Sequence, residues 1–217
     1  VIGTLAGLLL GLAIAIPIGI YSAVHRYTRR DYALVTISFF GTSVPSFFLA
    51  LIFIYLFTVR LGWLPSSGIR TAGGDGGIAD LIWHLIMPVL ILAISVAGSN
   101  IRYVRGAVLE ILQKDYVRTA KSKGIGRFLV INKHALRNAL IPIVTVIGMQ
   151  IPTLFGGAVI IEQIFSWPGL GLITMNAITG RDYPVIMGVA LLTAIVVLLS
   201  NLLTDIIYAL VDPTIKY

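Results

Sequence analysis

The property that most constrains this chain is the length of its apolar runs. Five of them, at about residues 1–21, 33–59, 83–99, 139–161 and 184–211, are dominated by Leu, Ile, Val, Ala, Phe and Gly. A helix needs roughly 20 consecutive apolar residues to cross the hydrocarbon core of a bilayer, whereas a barrel strand needs only about 10. Inside that core every backbone N–H and C=O must find a partner, and a helix supplies all of them from its own segment. The composition agrees: 58% of residues are apolar and 12% charged, against about 45–50% and about 25% in a soluble domain. The sequence therefore predicts an all-α, polytopic bundle of about five transmembrane helices, forming a single domain over residues 1–217.

A net charge of +7 would suit a nucleic-acid partner, but its distribution follows topology instead. Basic residues collect in the short loops on the cytoplasmic side of a membrane. Residues 22–33 carry Arg26, Arg29 and Arg30, residues 100–138 carry nine, and the tail carries Lys216; the alternate loops hold only Arg60, Arg70 and Arg181. That division of thirteen against three needs no nucleic acid. It predicts Val1 outside and Tyr217 in the cytoplasm, with outer loops at about 60–82 and 162–183. The chain opens inside an apolar run, with no basic segment before it and no small-residue cleavage site after it, so the run reads as a span and the sequence as a fragment.

Gly3, Gly7 and Gly11 recur every four residues and share one helix face, which favours close packing against a neighbouring helix. Pro17, Pro45, Pro88 and Pro152 fall within spans as tolerable kinks. Polar groups are sparse in the spans, and intramembrane polar groups are the natural candidates for a translocation path. Ser43, Gln150 and Asn201 are the path candidates, with Asp205 close enough to a span end to reach the interface. No chain of His, Asp or Glu crosses the membrane, so neither a proton relay nor a metal path is expected. There is no cysteine, which excludes disulfides and thiolate metal sites. No phosphate-binding G-x-x-x-x-G-K-[ST] loop occurs, so any ATP must be bound by another chain. The GGDGG of residues 73–77 lacks the strand and Lys-Ser/Thr of such a loop and reads as a flexible connection. FSWPGLGLITMNAI, from Phe165 to Ile178, is too apolar for a solvated loop and too short to span; it predicts an interfacial or re-entrant segment.

The exception to this apolar pattern is KDYVRTAKSKGIGRFLVINKHALRNALIP, from Lys114 to Pro142. Each Lys or Arg placed at mid-bilayer costs about 2.5–3.5 kcal/mol, so the nine basic residues of 100–138 must lie outside it. Helix formers run from Tyr103 to Ala120, Gly124 and Gly126 interrupt them, and Phe128, Ile131, Ala135 and Ala139 restart a helical period, with Arg127, His134 and Arg137 on another face. Anchoring by positive charge or attraction to anionic lipid would need only charge. A helix, a glycine break and a second helix at a fixed distance from a span offer a structured docking element.

This block resembles the cytoplasmic Glu-Ala-Ala-x-x-x-Gly loop of ABC-importer permeases, the binding-protein-dependent inner-membrane components. The matching residues are Arg118-Thr119-Ala120-Lys121-Ser122-Lys123-Gly124, with Arg118 and Thr119 where the family has Glu and its first Ala. The family's downstream Leu-Pro falls on Leu136-Arg137, and a proline comes only at Pro142. DYVRTAKSKG followed by HALRNALIP is similar to the dipeptide, oligopeptide and nickel permease subfamily, as are SVPSFFLAL, LGWLPSSG, FSWPGLG, RDYPV and YALVDPTIKY. Members usually have six spans, so an N-terminal span is expected to be missing here.

The resemblance implies a permease subunit, not an enzyme, in an ATP-driven importer that moves peptides or a related small solute by alternating access. Loop 100–140 would carry a coupling helix, with Thr119, Ala120 and Gly124 against the ATPase and Arg118, Lys121 and Lys123 at the rim. The implied partners are a second homologous permease, two ATPase subunits holding ATP and Mg, an extracytoplasmic solute-binding protein and lipid, in a bacterial or archaeal cytoplasmic membrane. A nickel-type solute within the same family, an ATPase-independent secondary transporter or channel, and a polybasic membrane scaffold are the rival readings.

Overall fold

The computed structural model describes residues 2–71, 73, 76–124, 126, 129, 143–148, 150 and 158–211. Among them every regular element is helical: α1 (Ile2–Val24), α2 (Arg29–Ser43), α3 (Ser46–Phe53) running into a π-helical turn (Ile54–Arg60), α4 (Ile78–Leu112), α5 (Asp115–Ser122), α6 (Val159–Ile164), α7 (Leu170–Thr179) and α8 (Tyr183–Val211). Three of these, α1, α4 and α8, are long and apolar enough to cross a membrane.

The pairing of α1 with α4 is the backbone of the molecule, and the glycine ladder is its cause. A Cβ on Gly7 would lie 2.6 Å from Cβ of Leu92, one on Gly11 2.7 Å from Cβ of Val96, and one on Gly19 2.8 Å from Cβ of Val104. Any side chain there would push the helices apart, so the spacing serves packing. Ala15, fully buried, continues the same face. The second helix crosses α4 by the same device: a Cβ on Gly41 would meet the Ile94 carbonyl at 3.1 Å, and one on Gly98 the Ser38 carbonyl at 2.9 Å.

The second expected span, residues 33–59, is not one straight helix. α2 and the α3 segment bend by 93° at their junction. Pro45 offers no N–H and drives the residue before it out of the helical region, and Val44 accordingly adopts φ −85°, ψ 122°. Pro17 and Pro88, by contrast, sit inside continuous helices. At its start, α2 is capped by Thr28, whose Oγ1 accepts the Asp31 N–H at 3.2 Å. Of the fourth expected span, residues 143–148 and 150 are helical, while Pro152 and most of the remainder lie outside the described residues, as do Phe128, Ile131, Ala135, Ala139, Arg127, His134 and Arg137. A Cβ on Gly148 would overlap Thr204, which places α8 directly on this segment.

The loops at 60–82 and 162–183 are joined to each other. The Gly68 N–H donates to the Phe165 carbonyl at 2.8 Å, and Phe165 is buried with Met87, Ile91, Ala50 and Ile161 in one apolar cluster. Asp80, in the first turn of α4, accepts from the Thr71 N–H at 2.8 Å and the Thr71 hydroxyl at 2.6 Å. The glycine-rich loop, expected to be flexible, is thus tied at both of its described ends. The apolar segment after it folds as a hairpin of short helices, α6 and α7. Buried Glu162 accepts the Leu172 N–H at 2.9 Å, filling one of the orphan donors at the start of α7.

Candidate functional site

The basic block begins as a short helix hung from the end of α4. Gln113 and Lys114 make the turn, their N–H groups donating to the Glu110 and Ile111 carbonyls. α5 then starts at Asp115, an acid suited to a helix N-terminus. Val117 and Ala120, three residues apart, bury themselves against Leu112 and fasten α5 to the last turn of α4. The opposite face carries Arg118 and Thr119, both exposed. The helix ends where the Lys123 N–H reaches the Thr119 carbonyl at 3.1 Å and Gly124 takes φ +76°, the left-handed cap that glycine adopts without strain.

Of the six coupling candidates, Arg118, Thr119, Lys123 and Gly124 are open to solvent in this chain. Ala120 is not: at 6% exposure its side chain belongs to the joint with α4 rather than to an outer surface. Lys121 lies on the same helix.

The three path candidates sit on three different elements. Ser43 is the last, exposed residue of α2, at the 93° bend. Gln150 is half-buried, and its Nε2 donates to Oδ1 of Asn100 at 3.3 Å, linking the fourth apolar stretch to α4. Asn201 is exposed on α8. Its neighbours Ser200 and Thr204 are buried, with hydroxyls donating to the Val196 and Ser200 carbonyls of their own helix. These two serve packing.

Sequence reasoning missed the strongest polar cluster. Asp31, 1% exposed, accepts from Arg105 twice, Nε to Oδ1 at 2.8 Å and Nη2 to Oδ2 at 2.9 Å. It also accepts from the Tyr27 N–H at 2.9 Å and from the Ser22 hydroxyl. One carboxylate therefore ties α1, α2 and α4 together. A signal was present: Asp31 is the lone acid in a loop otherwise basic, just before an apolar run. Asn100, 2% exposed, was missed too; its Nδ2 donates to the Val96 carbonyl at 2.7 Å while its oxygen takes Gln150.

Long apolar helices locked by glycine contacts, with a bent helix pair and a small helix hung from the end of α4, define a polytopic helical membrane protein. The fold is that of an ABC-importer permease: a solved inward-facing structure of the MetNI methionine ABC transporter superposes with a TM-score of 0.74, covering 97% of this chain and 91% of that one at 22% identity. A family model described as the binding-protein-dependent transport system inner membrane component matches residues 15–217, and the chain belongs to that family. A protein of Brucella suis named as a peptide permease is 47% identical over 211 residues, which are 97% of this chain and 66% of that one. The oligopeptide transport system permease protein AppB of Bacillus subtilis is 44% identical over 213 residues, 98% of this chain and 67% of that one. This chain thus spans about two thirds of the length of the relatives it resembles.

Proposed function

We propose that this chain is a permease subunit of an ATP-driven importer and carries peptides by alternating access. Its family membership and its relatives named for peptide and oligopeptide transport support that reading. The observation that carries the mechanism is α5. Its inner residues, Val117 and Ala120, bind it to α4, while Arg118 and Thr119 face away and are free to meet another protein. A separate ATPase that gripped this exposed face would move α4 with it, because α5 and α4 share a buried joint. Closure of two ATPase subunits on ATP would then bias the spans between their two orientations, as alternating access requires.

ATP and Mg belong to the ATPase subunits in this reading, and the chain itself performs no catalysis. A second homologous permease completes the path. The linked outer loops, joined at Gly68 and Phe165, face an extracytoplasmic solute-binding protein. The loop charges orient the chain with Val1 outside and Tyr217 in the cytoplasm of a bacterial or archaeal cell. Expressed at full length with its ATPases and second permease, the protein co-purifies with them and, in proteoliposomes supplied with binding protein, takes up peptide only with ATP. Failure to assemble, or uptake without ATP, removes the reading.

A further inference from the structure

We infer that Arg102 receives the carboxylate of the transported solute, on an open polar face of α4 that Thr42 completes. The inference rests on the peptide-importer reading above. Ser95, Ser99, Arg102 and Gly106 follow one another at intervals of four, three and four residues, so they share a face of α4. That face is not the one covered by α1, which packs on Leu92, Val96 and Val104; it borders the one crossed by α2 at Ile94 and Gly98, and only Arg102 on it reaches α2. Ser99 and Gly106 are exposed, Ser95 and Arg102 half-buried, and a Cβ on Gly106 would meet no atom within 4 Å. Hydrocarbon disfavours such a face, whereas a water-filled path uses it.

The direction of the Arg102 side chain is the second observation. A membrane arginine that serves only as an anchor extends toward the nearer end of its helix, here the Leu112 end. Arg102 does the reverse. Its Nη1 donates to Oγ1 of Thr42 at 3.1 Å, and its Cζ stands 4.5 Å from the centre of the Phe39 ring. The Thr42 methyl would lie 3.1 Å from a Cβ on Gly98, so the guanidinium reaches back about a turn, toward the apolar half of α4. The tilt of Cα–Cβ bonds toward a helix N-terminus permits that course.

The third observation is what the guanidinium lacks. Arg105, Lys114 and Arg118 each have a carboxylate within 4 Å, at Asp31, Glu110 and Asp115. Among the described residues none pairs with Arg102, and a single N–H of its five is committed, to Thr42. Phe39 lies beside the group through its ring and accepts no N–H from it, so the remaining donors are left for a carboxylate to meet through two parallel N–H bonds. Below it, the Ser95 and Ser99 hydroxyls donate to carbonyls of α4 itself, so their oxygens stay open as acceptors for the N–H groups of a peptide backbone.

The test is paired uptake of a tripeptide and its C-terminal amide by the assembled transporter in proteoliposomes. Because the same binding protein delivers solute to every variant, its own preference cancels when acid-to-amide ratios are compared. Arg102→Gln lowers that ratio about tenfold, the worth of a hydrogen bond to a charged group. Arg102→Lys lowers it less, since one ammonium cannot present two parallel donors. An unmoved ratio in either assembled variant overturns the inference, and so does an equal fall for acid and amide, which would assign the charge to assembly or to lipid headgroups. If Arg102→Gln does not assemble, the Arg102→Lys ratio decides. Absence of uptake by the unaltered assembly would instead remove the peptide-importer reading on which the inference stands.

Discussion

Arg105 and Asp31, 74 residues apart, meet through two parallel N–H···O contacts of 2.8 and 2.9 Å, with Asp31 almost wholly shielded from solvent. The pair carries more weight than its neighbours Lys114–Glu110 and Arg118–Asp115, which are exposed i,i+4 and i,i+3 contacts worth little in water. Removing one partner of a fully buried pair strands a charge at a cost of about 3–5 kcal/mol, and the cost here is smaller because the Arg105 side chain keeps 23% exposure. Asp31→Ala should therefore lower the thermal midpoint of the purified protein sharply, as read by unfolding in detergent. Adding Arg105→Ala should restore part of the loss, because the stranded charge is then gone. A double variant as unstable as the sum of the singles would show that the two residues do not act as a pair.

The contact between α1 and α4 predicts a position-dependent response to added methyl groups. Gly11→Val places a side chain where Val96 and the Ala93 carbonyl already stand, at 2.7 and 3.0 Å from the Cβ position. Overpacking of this kind costs about 1–3 kcal/mol. Gly188→Ala on α8 meets nothing within 4 Å and should leave stability intact or raise it. Equal effects in thermal unfolding would contradict the packing role given to the ladder.

Gly169→Ala is expected to open the hairpin of α6 and α7. Its Cβ would fall on the Glu162 carboxylate, which would have to leave the Leu172 N–H to make room. Limited proteolysis of the protein purified in detergent should cleave between residues 162 and 183 faster in this variant. Unchanged cleavage would mean that the carboxylate can move aside.

At the coupling end, shape should matter more than charge. Gly124 sits at φ +76°, and proline is confined to about −65°, so Gly124→Pro cannot keep the helix stop. Ala120→Trp cannot fit between Val117 and Leu112. Both should uncouple ATP hydrolysis from uptake while membrane insertion persists. Lys121→Gln combined with Lys123→Gln should matter less. If the charge variant were as damaging as the other two, an electrostatic anchor would replace the docking helix.

What was legible in the sequence was whatever depends on near neighbours. The every-fourth-residue glycines announced a close helix contact, and Gly124 announced the end of α5, because each is a local rule of backbone geometry. Three features escaped for physical reasons. Pro45 was legible as a proline but not as a 93° bend, since the angle depends on whether neighbouring helices hold the freed carbonyls in line or let the chain turn. The resemblance implied Ala120 as an ATPase contact, whereas its side chain packs on Leu112 of the preceding helix, a contact that depends on how the chain turns between them. Asp31 and Arg105 lie on two helices, 74 residues apart, and nothing in the composition of either segment names the other.

The 35 residues of α4 have one further consequence. At 1.5 Å per residue they measure about 50 Å, longer than a bilayer of about 40–45 Å with its headgroups. Loop Asp80 contacts begin at one end of this rod and the α5 joint hangs from the other. If α5 is the docking element proposed above, a push delivered there would travel along a single helix to its other end, through covalent bonds and a ladder of backbone hydrogen bonds that Pro88 breaks once. Such a message would need no relay of side chains, and its fidelity would be set by the stiffness of a single strut.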